Sequence, residues 1–223
     1  MPTPASKAPV TRRKTVARIA APANLAKTSP RVRDKASANT TDVPTIWTIG
    51  HSTRPIDEFL GLLTEYHIET IADVRSFPGS RKFPQYGKEA LALTLPEHGI
   101  DYQWLQILGG RRRVDPDSPN TAWRNASFRG YADYMATPAF AQGMAELLEL
   151  ANQRRTALMC AEAVWWRCHR SMISDALCVR GIEVIHILDA KHTMVHPMTS
   201  PARIVRGKLT YVAETSTPAH PQS

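Results

Sequence analysis

Thr156-Ala-Leu-Met-Cys-Ala-Glu-Ala-Val-Trp-Trp-Arg-Cys-His-Arg-Ser-Met-Ile-Ser-Asp-Ala-Leu177, followed by Gly181 and Glu183-Val-Ile-His-Ile-Leu188, decides the fold. Thr156 to Cys160 is a short apolar run of strand length. Cys168 to Arg180 carries apolar residues at helical spacing, and Gly181 supplies a C-terminal stop. Glu183 to Leu188 is a second apolar run. Strand, helix and strand make a β-α-β unit, whose right-handed crossover leaves the two strands parallel. Between Cys160 and Arg170 lie two thiols, an acid, an imidazole and two guanidiniums, placed where the first strand ends and the helix begins. In open α/β sheets that edge is where ligands bind.

The same grammar recurs upstream. Thr45-Ile-Trp-Thr-Ile49 reads as a strand ending at Gly50-His51-Ser52. Pro55 opens a helix in which Ile56, Phe59, Leu60 and Leu63 repeat at helical spacing through Tyr66. Thr70 to Arg75 reads as the next strand, and Phe77 to Pro84 as a loop rich in Pro and Gly. A helix is expected over Gly87 to His98, limited by Pro96, and a strand over Ile100 to Leu105 that runs on to Gly109-Gly-Arg-Arg-Arg113. Residues 114–126 are polar and form an excursion. Phe128 to Met135 starts a helix, and Thr137-Pro138 caps another reaching Arg154. Thr199 to Val212 is expected to add an edge strand. The expected fold is α/β, one domain over 44–213 with a mainly parallel sheet flanked by helices, ahead of a frayed terminus at 214–223.

The net charge of +8 is concentrated in one place. Residues 1–43 hold nine Lys or Arg and two acids, leaving 19 bases and 18 acids in the rest. With no aromatic before Trp47 and much Pro, Ala, Ser and Thr, this arm is too polar to bury a core and is expected to be disordered. A basic arm can also attract nucleic acid. Its Arg-rich, acid-poor character is shared with organelle transit peptides, whereas Arg12-Arg13 lacks the apolar run of a twin-arginine signal. No segment reaches the roughly 20 apolar residues that span a bilayer. Three cysteines without a signal peptide point to a reducing, cytoplasmic setting. The oligomeric state is not legible.

In a parallel sheet all C-terminal strand ends share one side, and titratable groups gather there. The first strand delivers His51 and Ser52, and the second Asp73, Arg75 and the loop's Arg81. The third delivers Arg111 and Arg112, the fourth Cys160 and Glu162, and the last His186. Cys168, His169 and Arg170 stand at a helix start facing the same rim. The chemistry favours a small anion: a helix N-terminus offers unpaired N–H groups. Arg75, Arg81, Arg111, Arg129, Arg167 and Arg170 offer forked donors for phosphate, sulfate or carboxylate. The same field activates a thiol, which marks Cys168 as nucleophile or metal ligand. His169 and His51 are the candidate proton carriers and Glu162 their acid–base partner.

Each residue also has a plainer reading. His51 and Cys160 can be structural, Asp73 with Arg75 a surface ion pair, Cys178 core, and Trp165 and Trp166 packing rather than stacking groups. Two rival chemistries use the same atoms. Cys160, Cys168 and His169, with or without His51, can hold a metal, although Cys-x7-Cys is not a common zinc spacing. Cys160 and Cys168 can also form a reversible disulfide. A phosphatase-type cradle needs Cys-x5-Arg, and Cys160 to Arg167 is Cys-x6-Arg. His192-x3-His196 would share a helical face, but Pro197 argues against a helix there.

Together Ile49-Gly-His-Ser52, Asp73-Val-Arg-Ser-Phe-Pro-Gly-Ser-Arg81, Leu108-Gly-Gly-Arg111, Phe128-Arg-Gly-Tyr-Ala-Asp-Tyr-Met135 and Cys160-Ala-Glu162 with Cys168-His-Arg-Ser171 resemble the bacterial domain-of-unknown-function family 488. The resemblance runs from Thr45 to Leu188. It implies a soluble bacterial α/β protein, weighs against a transit peptide, and adds Tyr131 to the shared motif residues. Members often carry proline immediately before the Trp-Arg-Cys-His-Arg segment, where this chain has Trp165. The basic arm lies outside the family pattern. The expected function is an enzyme on a small phosphate- or nucleotide-like anion; the alternatives are a nucleic-acid-associated protein using its arm, and a thiol redox or metal-binding protein.

Overall fold

The computed structural model describes residues 44–79 and 81–213. The expected disordered arm at 1–43 and frayed terminus at 214–223 lie outside them. Ile46–Gly50 forms β1, Ile56–Glu65 α1, Thr70–Asp73 β2, Lys88–Glu97 α2 and Asp101–Trp104 β3. Ala126–Met135 and Pro138–Gln153 form α3 and α4, Thr156–Cys160 β4, Arg170–Cys178 α5, Val184–Ile187 β5 and Thr193–Val195 β6. The six strands make one sheet in the order β3-β2-β4-β1-β5-β6, parallel except for the antiparallel edge pair β5–β6.

Side-chain alternation along the strands builds two cores. Trp47, Ile49, Ile71, Ala157 and Met159 point to one face and meet Phe59, Leu63, Leu91 and Leu95 of α1 and α2. Ile46, Ala72, Leu158 and Val184 point to the other and meet Phe140, Met144, Leu147, Ile173 and Leu177 from α4 and α5. Helices on both faces are what a buried parallel sheet requires. Local chemistry sets the helix starts. Thr137 caps α4 by accepting from the Phe140 N–H, with Pro138 at the first position, and Asn125 caps α3 by accepting from Ser127 and Phe128.

Topology then creates a crevice. β4 sits between β1 and β2, yet its chain leaves toward α5 on one face while theirs leave toward α1 and α2 on the other. Chains diverging from adjacent carboxyl ends open a gap there. Backbone hydrogen bonds continue past the strands, from His51 N to Cys160 O at 3.0 Å, Ser52 N to Ala161 O at 2.9 Å and Val74 N to Met159 O at 3.0 Å. They give the gap a fixed floor.

Two expectations change. The Thr199 to Val212 segment does not join the sheet: Arg203–Val205 (β7) and Lys208–Thr210 (β8) form a separate hairpin. Arg206 and Gly207 turn it, with φ of 51° and 74°, as a two-residue hairpin loop demands. The main sheet takes β6 as its edge instead, and His192 and His196 flank that strand, in keeping with the argument from Pro197 against a helix there. The last helix also begins at Arg170, because a single 3₁₀ turn at Trp165–Arg167 and an extended Cys168 (φ −131°, ψ 147°) occupy the residues before it.

Candidate functional site

A cavity of about 420 Å³ opens at the carboxyl end of β4. Cys160, Ala161 and His169 line it from the β4–α5 connection, and Arg75, Ser76 and Phe77 from the end of β2. Gly110 and Arg111 line it beyond β3, and Asn125, Ser127 and Phe128 from the start of α3. Arg75, Phe77, Ala161 and Arg167 also border a second lobe of about 560 Å³, which reaches His51, Ser52, Phe83 and Glu162.

Its electrostatics are set by which arginines are already engaged. Asp73 is fully buried and holds Arg75 through Nε to Oδ1 at 2.8 Å and NH2 to Oδ2 at 2.5 Å. The Tyr102 hydroxyl donates to Asp73 Oδ2, and Arg75 NH1 donates to the Tyr86 carbonyl. Asp73 is therefore the counter-ion that fixes Arg75 at the border of the two lobes, and does not itself line either. Arg112 turns away: it donates to the Gly109 and Ile107 carbonyls and lies 3.5 Å over the Tyr134 ring. Arg111 and Arg167 line the cavity with no side-chain hydrogen-bond acceptor among the described residues, Arg111 resting 5.6 Å over the exposed Phe77 ring. Two uncommitted guanidiniums beside a helix start are a cationic, fork-shaped wall suited to an oxyanion.

His51 lies in the second lobe. Its Nδ1–H donates to the Ser52 carbonyl and its Nε2 faces Arg75 NH1 at 3.3 Å, while its ring stacks on Tyr86 with centroids 4.0 Å apart. Burial first, and the Arg75 charge second, lower its pKa to about 4. It is a neutral imidazole at neutral pH.

Cys160, Cys168 and His169 form the floor, with one donor atom from each lying within 4.8 Å of the others. His169 Nε2–H donates to the Val74 carbonyl at 2.9 Å, which leaves Nδ1 facing Cys168 Sγ at 3.6 Å. Gly110 packs against that ring, and a Cβ there would collide with it. Both thiols are buried, Cys160 at 8% exposure and Cys168 at 4%, and only Cys160 lines the cavity. A hydrogen bond to Cys168, then burial, keeps the proton on Cys160. Burial works against ionising Cys168, but the bond from Cys160 and the neighbouring His169 and Arg170 outweigh it and hold that thiol well below its usual range. All three cysteines are free thiols.

Several expected rim residues stand elsewhere. His186 does not reach the cavity: at 1% exposure it points into the α5 face, stacked on Trp165 at 4.5 Å. Strand alternation puts it on the face of Thr48 rather than at the end of β5. Arg170 is equally buried and turns inward, donating to Thr48 Oγ1 and the Glu162 carbonyl. Gly50 makes room for that crossing, since a Cβ there would strike the Glu162 backbone. Tyr131 donates to the Leu108 carbonyl and meets the edge of the His169 ring, behind the cavity wall. Arg81 and Arg129 do not line the cleft, and Glu162 borders only the second lobe.

The sequence also left a whole chain of groups unread. Arg170 donates to Thr48 Oγ1 at 3.3 Å, and Thr48 Oγ1 lies 2.6 Å from His186 Nδ1. His186 Nε2 lies 2.9 Å from His196 Nδ1, and His196 Nε2 lies 3.0 Å from the fully buried Asp175. With neutral imidazoles every link has one donor and one acceptor, running from guanidinium to carboxylate. Burial above all, with the adjoining His196 ring and the Arg170 guanidinium adding to it, lowers the His186 pKa to about 3, which keeps that imidazole neutral. Asp175 also accepts from Thr199 N, Thr199 Oγ1 and Tyr211 OH. An acid inside an apolar helix face was the available signal for this chain. Asn125 was legible too, as a cap residue just before a helix.

No helix among the described residues is long and apolar enough to cross a membrane. No curated protein and no solved structure matches the chain. The family described as "Domain of unknown function DUF488" matches residues 55–177, which include Arg75, Arg111, Cys160, Cys168 and His169 but leave His51, Ser52 and His186 outside. On that match, which spans more than half of its length, the chain belongs to the DUF488 family.

Proposed function

We propose that the protein is an enzyme acting on a small anionic substrate, phosphate- or nucleotide-like, bound in the cleft at the end of β4. One observation carries this reading: Arg111 and Arg167 line a cavity of about 420 Å³ with no side-chain hydrogen-bond acceptor among the described residues, in company with Cys160 and His169. Elsewhere in the domain the buried Arg75 is paired with Asp73, and Arg170 donates through NH1 and NH2 while its Nε has no partner among the described residues. Unmatched guanidiniums in a concave site are donors awaiting an anion. Phe77, 68% exposed at the border of both lobes, adds a flat apolar surface on which a ring can stack. Anion and ring together favour a nucleotide over a bare phosphate.

Roles follow from access. Arg111 and Arg167 bind the anion, and Arg75, pinned by Asp73, sets the border between the lobes. His169 borders the main cavity, and Cys160, not Cys168, lines it beside that imidazole. Titration calorimetry with inorganic phosphate and with a nucleoside monophosphate tests the reading. Binding that weakens with salt, tightens with the nucleoside and weakens in Arg111→Ala and Arg167→Ala supports it. Absence of binding, or equal affinity in both variants, overturns it.

A further inference from the structure

We propose that Cys160, Cys168 and His169 are a three-ligand site for a thiophilic divalent metal ion, zinc above all, with the fourth coordination position open to the cleft. The inference names the cofactor of the site described above, and rests on that reading only for what would occupy the open position.

Geometry comes first. The three donor atoms lie within 4.8 Å of one another. A tetrahedral zinc with Zn–S near 2.3 Å and Zn–N near 2.0–2.1 Å separates a sulfur from a nitrogen ligand by about 3.5 Å. Cys168 Sγ and His169 Nδ1 are 3.6 Å apart. The imidazole is already oriented as a ligand: Nε2–H is spent on the Val74 carbonyl, so the lone pair of Nδ1 faces Cys168 Sγ. Metal-binding histidines are commonly held in this way by a backbone carbonyl. The crowding of Gly110 against the ring leaves that orientation no slack.

Access and charge agree. A thiolate nucleophile needs an open approach, yet Cys168 does not line the cavity. A metal ligand needs no such approach, and burial suits it. Two thiolates and one divalent ion sum to zero charge, leaving Arg111 and Arg167 free for a substrate anion. Two sulfurs and one nitrogen with an open position is the donor set of a catalytic rather than a closed structural zinc site. When bound, the ion would supply Lewis acidity at an oxygen in the fourth position. The spacing that hid the site from sequence inspection has a cause in the fold. The 3₁₀ turn at Trp165–Arg167 folds the connection back, so a strand end and a helix start meet across seven intervening residues.

The test uses the full-length chain, reduced and stripped with a chelator, then titrated with Co²⁺ and followed by sulfur-to-metal charge-transfer and tetrahedral d–d absorption. One equivalent should bind, and Zn²⁺ should displace it. Cys160→Ser, Cys168→Ser and His169→Ala should each weaken binding by about a hundredfold or more, beyond the roughly 10–100-fold typical of outer-shell changes, while Cys178→Ser should bind normally. Should a variant fail to fold, alkylation of the unmodified chain decides instead: Zn²⁺ should protect Cys160 and Cys168 but not Cys178. Absence of charge-transfer absorption with the unmodified protein, or equal alkylation with and without Zn²⁺, overturns the proposal. Inorganic phosphate titrated into the stripped protein separates the two readings. Phosphate binding without Co²⁺ binding sinks the metal site alone, and the converse sinks the anion reading alone.

Discussion

Two histidine clusters meet α5, one at its start through His169 and one through Asp175, and they are built on different rules. In the chain Arg170–Thr48–His186–His196–Asp175 every link has one donor and one acceptor, and the two end charges compensate each other. At the cleft, His169 is held between the Val74 carbonyl and Cys168 Sγ, but Arg111 and Arg167 line the cavity with no side-chain hydrogen-bond acceptor among the described residues. Buried polar groups are expensive unless paired. A network that closes on itself is therefore explained by the fold, and one that stays open asks for a ligand. The sequence pattern alone set His186 and Arg170 on the same rim as His169.

The comparison can be broken most severely at Asp175. Asp175→Ala leaves His196, Thr199 and Tyr211 without their shared buried acceptor, and each buried donor left unsatisfied costs about 1–3 kcal/mol. Urea denaturation should register that loss; a cost below about 1 kcal/mol would show that the closed network does not hold the fold. Acid should act on this network through His186, and on the second lobe of the cleft through His51. The folded-state values of His186 (about 3) and His51 (about 4) lie below the ordinary 6.5. The unfolded chain therefore takes up protons first, and stability falls as pH drops from about 6.5 toward 3–4, with no contribution from these groups above that window. His186→Gln should flatten part of the decline; an unchanged pH dependence would contradict the assignment.

At the cleft the order of effects reverses, with function changing more than stability. Arg111→Ala should cost about 1.5–3 kcal/mol of anion binding, roughly 10–100-fold, while its exposed position holds the stability change within about 0.5 kcal/mol. Arg75→Ala is a poorer probe, because it strands the fully buried Asp73. Gly110→Ala drives a methyl into the His169 ring. It should cost about 1–3 kcal/mol of stability and weaken anion binding as well, which calorimetry on the folded variant would detect. Cys178→Ser, at a half-buried position on the far end of α5, should change stability by no more than about 1 kcal/mol and leave binding intact.

Much of this architecture was legible because local rules coincide with tertiary ones. The run Thr156 to Cys160, the helix after it and Gly181 agree in pattern, cap and length, and the structure follows them. The insertion of β4 between β1 and β2 was not legible, since strand order depends on long-range pairing that no local pattern encodes. The three-residue edge strand β6 carries too little periodicity to stand out. In the site, residue types at strand ends revealed which backbone segments converge, but not where long side chains turn. Arg111 and Arg112 are neighbours of identical chemistry. One faces the cavity because the Tyr134 ring and the Gly109 and Ile107 carbonyls have claimed the other. His186 was misplaced for a related reason: whether a strand residue faces a core or a rim depends on register, and one residue of shift exchanges the two.

The most direct test of the central claim, that the open cluster and not the closed one receives a ligand, is amide chemical-shift mapping of the isotope-labelled chain during a phosphate titration. Saturable shifts concentrated at Gly110, Arg111, Ala161, Cys168 and His169, with Asp175, His186 and His196 still, are the result predicted. Phosphate shifts spread evenly over the surface, or centred on Asp175 and His196, would contradict the account.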